Sequence, residues 1–142
     1  MLKILIAIDG SEHARRAIEA VGKMAKSSLA LEAVLICVSP EPILYGDYSA
    51  ATIRKIEEDQ KEHQDIVLTR GTELAQAQGL KLGDPVRVFG VVANEIVRAA
   101  DHLKVDQIVM GTRGMSAIGN MVMGSVAQRV LHQTPVPLLL VK

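Results

Sequence analysis

Five short apolar stretches constrain this chain more than any other feature: residues Ile4 to Ile8, Ala33 to Val38, Val86 to Phe89, Gln107 to Met110 and Val136 to Val141. They are rich in Val, Ile and Leu and mostly lack polar alternation, the pattern of strands covered on both faces. Longer segments with helical spacing separate them. After the first run, Ala14, Ala17, Ile18, Val21, Met24 and Ala25 recur at intervals of three and four, and Ser11 stands where a helix cap belongs. Ala93, Ile96, Val97 and Ala100 repeat the pattern after the third run, as do Val126, Ala127, Val130 and Leu131 after the fourth. Strands and helices that alternate in this way, joined by right-handed crossovers, imply an α/β fold: a three-layer α/β/α sandwich around a five-stranded parallel sheet. The 142 residues, 49% of them hydrophobic, suffice for one real core, and residues 1–142 read as a single domain.

The second connection is the unusual one. Residues 39 to 48 are loop-like, with Pro40, Pro42 and Gly46; a charged segment then runs from about Ala50 to Gln78. Ile53, Ile56, Ile66, Val67, Leu74 and Ala77 give that segment a thin apolar stripe, so it reads as one long helix with a mostly solvated face, disturbed near Gly71. Gly79 to Pro85 breaks it and leads back to a strand.

Charge and composition remove several classes of function. Lys and Arg total 16 and Asp and Glu total 16, so no large field recruits a polyanion. Tyr45, Tyr48 and Phe89 are the only aromatics, too few for a base-stacking platform, and nucleic acid is not an expected partner. The first residues lack the basic start and cleavage site of a secretory signal, and no run reaches the roughly 18 apolar residues of a membrane helix. A lone cysteine, Cys37, forms no internal disulfide. The expected location is the cytoplasm.

In a sheet of this kind the ligand crevice lies beyond the carboxyl ends of the strands. Asp9, Val38 with Ser39, Gly90, and Gly111 onward follow those ends. The last of these opens a stretch, MGTRGMSAIGNMVMGSVAQRV, that carries four glycines before a helix begins near Ser125. A helix start bears unpaired N–H groups and about half a positive charge, and neighbouring glycine amides can add a concave anion site. Arg113, Ser116 and Ser125 offer further donors. The same loop could instead pack its own Met115, Ile118, Met121 and Val122. Neither a P-loop nor a dinucleotide fingerprint is present to decide between these readings.

Gly111-Thr-Arg-Gly114, nine residues, then Gly124-Ser125 matches the G-x-x-G, nine-residue spacer, G-[ST] signature of the ATP-binding branch of the universal stress proteins. The resemblance runs the length of the chain: ILIAIDGSEHARRAIEA is similar to the family's first strand and helix, IVMGTRG to its fourth strand, and TPVPLLLVK to its closing strand. It implies a strand order of 3-2-1-4-5. It also implies roles: Asp9 near the adenosine, Val38 reading the adenine edge through its backbone, and Ala7 and Met110 lining the adenine pocket. Gly111 and Gly114 would let the loop approach ribose and phosphates. Gly124 and Ser125, with Val126 behind them, would hold the phosphate tail, and Arg113 could reach it. The implied ligand is ATP, with AMP or ADP as relatives of it, and Mg2+ as companion ion.

One departure is visible. Family members often follow the third strand with G-[DN]-P, whereas this chain has Gly90-Val91-Val92-Ala93, which removes the polar helix cap. A changed turn and a more apolar rim are expected there.

Catalysis has little to work with. Phosphoryl transfer needs a positioned base, charge neutralisation and usually a held metal. Asp9 is the only acid expected in the site, the loop has no lysine, and His13, His63, His102 and His132 lie in different helical segments without ligand spacing. Cys37 reads as a core residue. The expectation is a nucleotide-dependent regulatory protein of the stress response, not an enzyme, with at most slow ATP hydrolysis. A related adenine-nucleotide α-hydrolase would carry S-G-G-x-D-S after the first strand, where this chain has DGSEHA. An interaction protein that kept the fold and lost the ligand is the other alternative. The segment Val136 to Val141 is a candidate sheet edge, and the resemblance implies a homodimer through it.

Overall fold

In the computed structural model, which describes residues 1–27, 30–42, 44–114 and 123–142, all five apolar runs contribute strands. The elements in order are β1 (Leu2–Ala7), α1 (Glu12–Lys26), β2 (Leu31–Ser39), α2 (Ala50–Ala77), β3 (Lys81–Leu82), β4 (Val86–Phe89), α3 (Val92–Leu103), β5 (Gln107–Gly111), α4 (Ser125–Gln133) and β6 (Leu138–Val141). The sheet is parallel throughout, ordered β3-β2-β1-β5-β6 with β4 also paired to β2. This is the expected 3-2-1-4-5 arrangement with one correction: among the described residues six strands stand where five were expected. The addition is β3, two residues within the Gly79 to Pro85 break, where Lys81 and Leu82 lie opposite Glu32 and Ala33 of β2. No apolar run marks it, because so short a pairing depends on its neighbour and not on its own pattern.

The period of two along the central strands sorts the core into halves. Ile4, Ile6 and Ile8 join Leu35 and Cys37 under α1 and α2. Leu5, Val34, Ile36, Ile108 and Met110 face α3 and α4. Ile4, Leu5 and Ile6 are fully buried, each contributing roughly 2–3 kcal/mol of transfer free energy. A charge at any of the three would face apolar packing with no partner.

Local chemistry starts the helices. Ser11 caps α1 by accepting the Ala14 N–H at 3.2 Å, and Ser49 caps α2 by accepting the Thr52 N–H at 3.1 Å. Helix α2 runs unbroken through Gly71, contrary to the expected disturbance. A β-carbon there would stand 2.5 Å from Cδ1 of Ile8, so the glycine serves the close seating of α2 on β1. Neither α3, preceded by Val91, nor α4, preceded by Gly124, has a side-chain cap.

Candidate functional site

Strands β1, β2 and β5 end together, and the turns leaving them enclose a cavity of about 370 Å3. Ala7 and Asp9 reach it from the end of β1, Val38 from β2, and Met110 and Gly111 from β5. Arg113 and Gly114 follow on the loop, and Gly124, Ser125 and Val126 close it at the start of α4. All ten residues to which the family resemblance gives a role thus line one cavity. Gly90 does not, although it follows a strand; a β-carbon there would meet Glu95 Cγ at 2.9 Å, within the turn into α3. Ser116, Met115, Ile118, Met121 and Val122 lie outside the described residues.

The floor of the cavity is apolar. Ile36 and Val38 on β2 and Val92 and Ile96 on α3 face Ala7, Met110 and Ala127. Val92 occupies the region where the polar cap is missing and adds apolar surface to the cavity, which Val91 does not line. Sequence reasoning passed over Ile36, Ile96 and Ala127 because their helical and strand periods mark them only as core. Which core positions fall at the cavity depends on how far each helix extends past the sheet. Thr112 lies within the stretch flagged from Gly111 onward, and Ser11 was within reach of the strand-end rule, two residues beyond Asp9.

The mouth is polar and made largely of backbone. The Gly124 N–H donates to the Thr112 carbonyl at 2.6 Å, which ties the far end of the glycine loop to the end of β5. That bond sets the first turn of α4 facing the cavity through Ser125, Val126 and Ala127. The first amides of a nine-residue helix without a side-chain cap, together with the positive end of its dipole, favour a negatively charged group there. Ser125 is the first helical residue, as expected, and Gly124 is the cap position.

Asp9 lines the same cavity, with its Oδ2 close beside Gly114. Its Oδ1 accepts the Ser11 N–H at 2.9 Å, the turn hydrogen bond that an Asp-Gly-Ser sequence favours. Behind it, Cys37 is buried, and burial together with the nearby Asp9 charge pushes its thiol up to about 11. A neutral thiol of that kind packs and does not react at ordinary pH.

The three glycines of the signature have different physical reasons. At Gly111 a β-carbon would meet His13 Cβ at 2.6 Å and the His13 backbone carbon at 3.0 Å, so α1 is what requires the glycine. At Gly114 it would stand 2.5 Å from Asp9 Oδ2. At Gly124 the nearest atom is the Thr112 carbonyl oxygen at 3.4 Å, an ordinary contact, and φ is −73°. Among the described residues nothing demands a glycine at that last position. What it preserves is space at the cavity mouth.

The profile of the universal stress protein family matches residues 1–142. A universal stress protein of Thermus aquaticus, named for its place in the QAH/OAS sulfhydrylase 3′ region, is 34% identical over 141 residues, 98% of this chain and 97% of that protein. Universal stress protein MJ0531 of Methanocaldococcus jannaschii is 34% identical over 140 residues, 99% of this chain and 81% of that one. Among solved structures, hypothetical protein MJ0577 superposes with a TM-score of 0.84 at 27% identity, covering 99% of this chain and 94% of that one. Two others share the fold at lower identity. One is a universal stress protein in complex with cAMP, with a TM-score of 0.67 at 22% identity over 99% of this chain and 95% of its own. The other is an Arabidopsis thaliana family member with AMP bound, with a TM-score of 0.73 at 18% identity over 100% of this chain and 92% of its own. On the match over its whole length and on these relatives, the chain belongs to the universal stress protein family.

Proposed function

We propose that the cavity beyond β1, β2 and β5 binds an adenine nucleotide, ATP in the first instance, and that the protein is a cytoplasmic regulator read by its nucleotide state. The observation that carries this reading is the convergence on one cavity of all ten residues to which the family resemblance gives a role, with only ordinary contacts around Gly124 among the described residues. Its volume falls within the roughly 300–1,000 Å3 range of small-molecule sites. The apolar floor suits a purine, and the backbone-rich mouth at α4 suits phosphate. The cAMP- and AMP-holding structures of the same fold support the adenine assignment.

In this reading Ala7, Val38 and Met110 hold the base, and Asp9 meets the ribose. Gly114, Gly124 and Ser125 admit and bind the phosphates, and Arg113 adds positive charge. Mg2+ would supply charge neutralisation on the phosphate tail, with Asp9 as the one carboxylate among the described lining residues. Hydrolysis is slow or absent because those lining residues include no lysine or histidine, and Asp9 is engaged in its turn. The protein assembles as a homodimer through the outer edge of β6.

The test is to release and identify by mass spectrometry whatever small molecule co-purifies, then titrate ATP, AMP and cAMP into the stripped protein by calorimetry. ATP or its breakdown products, with binding in the micromolar range, is the expected result. A protein that carries no nucleotide and ignores all three would overturn this function and favour an interaction protein on the same fold.

A further inference from the structure

We propose that Gln64 of α2 is a positioning residue that sets the selectivity of the cavity for adenine by holding the backbone of Val38, a role that rests on the adenine reading of that cavity. Gln64 itself is not among the described residues that line it. The Ile8 N–H bonds the Ile36 carbonyl at 2.9 Å, so the backbone polar groups of residues 36 and 38 point toward the β1 side of β2. Strand β1 ends at Ala7, opposite Ile36. The Val38 N–H and C=O therefore point past the end of β1, where Val38 lines the cavity.

The other side of Val38 is anchored. Val38 lies opposite Val88 of β4, and the Gly90 N–H bonds the Ser39 carbonyl at 3.0 Å; this register sends the Cys37 carbonyl and the Ser39 N–H to the backbone of Val88. Gln64 sits on both links. Its Nε2 donates to the Val88 carbonyl at 2.9 Å and, over a longer 3.4 Å, to the Cys37 carbonyl. A carbonyl can only accept, so these two bonds fix the orientation of the amide. Because a trans peptide unit is planar, with its C=O and N–H opposed, holding the Cys37 oxygen toward β4 aims the Val38 N–H at the cavity. The donated bond also polarises that peptide unit, which strengthens the Val38 N–H as a donor.

Stability is a weak reason for an amide at this position. Gln64 is fully buried, its Oε1 has no hydrogen-bond partner among the described residues, and such an acceptor costs stability. Both carbonyls keep their strand bonds without it. The chemistry of the base supplies a more specific reason. Adenine presents a donor, its 6-amino group, beside an acceptor, its ring N1; guanine presents a carbonyl at position 6 beside a protonated N1. A fixed N–H beside a fixed C=O complements the first edge and opposes the second, and it discriminates only while both groups are held in place.

The test is calorimetric titration of ATP, GTP and inorganic tripolyphosphate into the full native chain and into Gln64→Met, each stripped of ligand. Methionine keeps the length of the side chain and removes the donors together with the unpartnered oxygen, so the variant should unfold at a denaturant concentration close to the native one. The native chain should bind ATP roughly tenfold or more tighter than GTP; the variant should narrow that ratio to about threefold or less, with its tripolyphosphate affinity unchanged. An ATP preference retained in Gln64→Met, a tripolyphosphate affinity that falls in step with that for ATP, or equal native affinity for ATP and GTP would overturn the role of Gln64 and leave nucleotide binding standing. A native chain that binds neither nucleotide would overturn both. NMR of the native chain adds a check that needs no variant. The Gln64 side-chain amide should shift with ATP at the same saturation as the Val38 N–H, and stay still with tripolyphosphate. A Gln64 amide that ignores ATP while Val38 responds would overturn the proposal.

Discussion

Gly114 lies so close to Asp9 that a β-carbon on residue 114 would stand 2.5 Å from the Asp9 Oδ2 atom. Gly114 does not have positive φ, so the close approach, and not backbone conformation, requires the glycine. Gly114→Ala is therefore expected to destabilise the protein by about 1–3 kcal/mol through overpacking. In an Asp9→Ala background the same substitution should cost less than about 0.5 kcal/mol, because the clashing carboxylate is gone. Denaturant unfolding of the four proteins checks this; an equal cost in both backgrounds would mean that Asp9 is not the obstacle.

Gly111 and Gly124 separate packing from ligand space. Gly111→Ala drives a methyl group into His13 and the α1 backbone, so it should lower stability by about 1–3 kcal/mol. Among the described residues Gly124→Ala meets only ordinary contacts, and the loss of glycine at a cap position costs about 1 kcal/mol or less. Its effect should appear in nucleotide affinity, with a loss of roughly tenfold or more, and Gly124→Val should lose more. Calorimetric titration beside thermal unfolding reads both quantities. Unchanged affinity in a folded Gly124→Val protein would remove this turn from the binding mechanism.

The contrast between these glycines shows what the sequence can and cannot disclose. The apolar runs that became β1, β2, β4, β5 and β6 were legible because strands buried on both faces need continuous Val, Ile and Leu. Lys81–Leu82 was not, since its pairing is held by β2 and carries no pattern of its own. The spacing of Gly111, Gly114 and Gly124 marked the loop; only the packing of His13 against Gly111 and Asp9 against Gly114 revealed separate reasons for the glycines. The cavity floor at Ile36, Val92 and Ile96 depends on the docking of α3, which residue periodicity does not encode.

The outer edge of β6 makes the proposed dimer testable. The Ile108 N–H bonds the Pro137 carbonyl and the Thr112 N–H bonds the Val141 carbonyl, so in this parallel ladder residues 137, 139 and 141 face β5. The amides of Leu138 and Leu140 accordingly face outward. Leu140→Pro removes one outward donor without breaking a bond to β5, and proline is tolerated at an edge. It should convert the dimer to a monomer that remains folded, with about 1–2 kcal/mol lost from side-chain packing. Light scattering of the native chain and the variant decides the matter, and a monomeric native chain would rule the dimer out.

Cys37 predicts a pH dependence of stability. Burial first, and the Asp9 charge second, raise its folded pKa to about 11, while an unfolded thiol titrates near ~8.5–9. Below the unfolded value both states hold the proton, and the stabilising effect of the neutral buried thiol is fully present. As pH rises, the unfolded chain loses its proton first, so unfolding is favoured and stability falls until the folded thiol also ionises. A separation of about 2 pH units corresponds to a loss on the order of 2–3 kcal/mol between roughly pH 9 and 11. Lysine and tyrosine titrate in the same interval, so the measurement is a difference. Cys37→Ala should lose less stability than the native chain across that interval, and alkylation of Cys37 at pH 8 should be slow in the folded protein and fast in denaturant. Parallel stability profiles for the two proteins, or rapid alkylation of the native chain, would show that the thiol is not held neutral against Asp9.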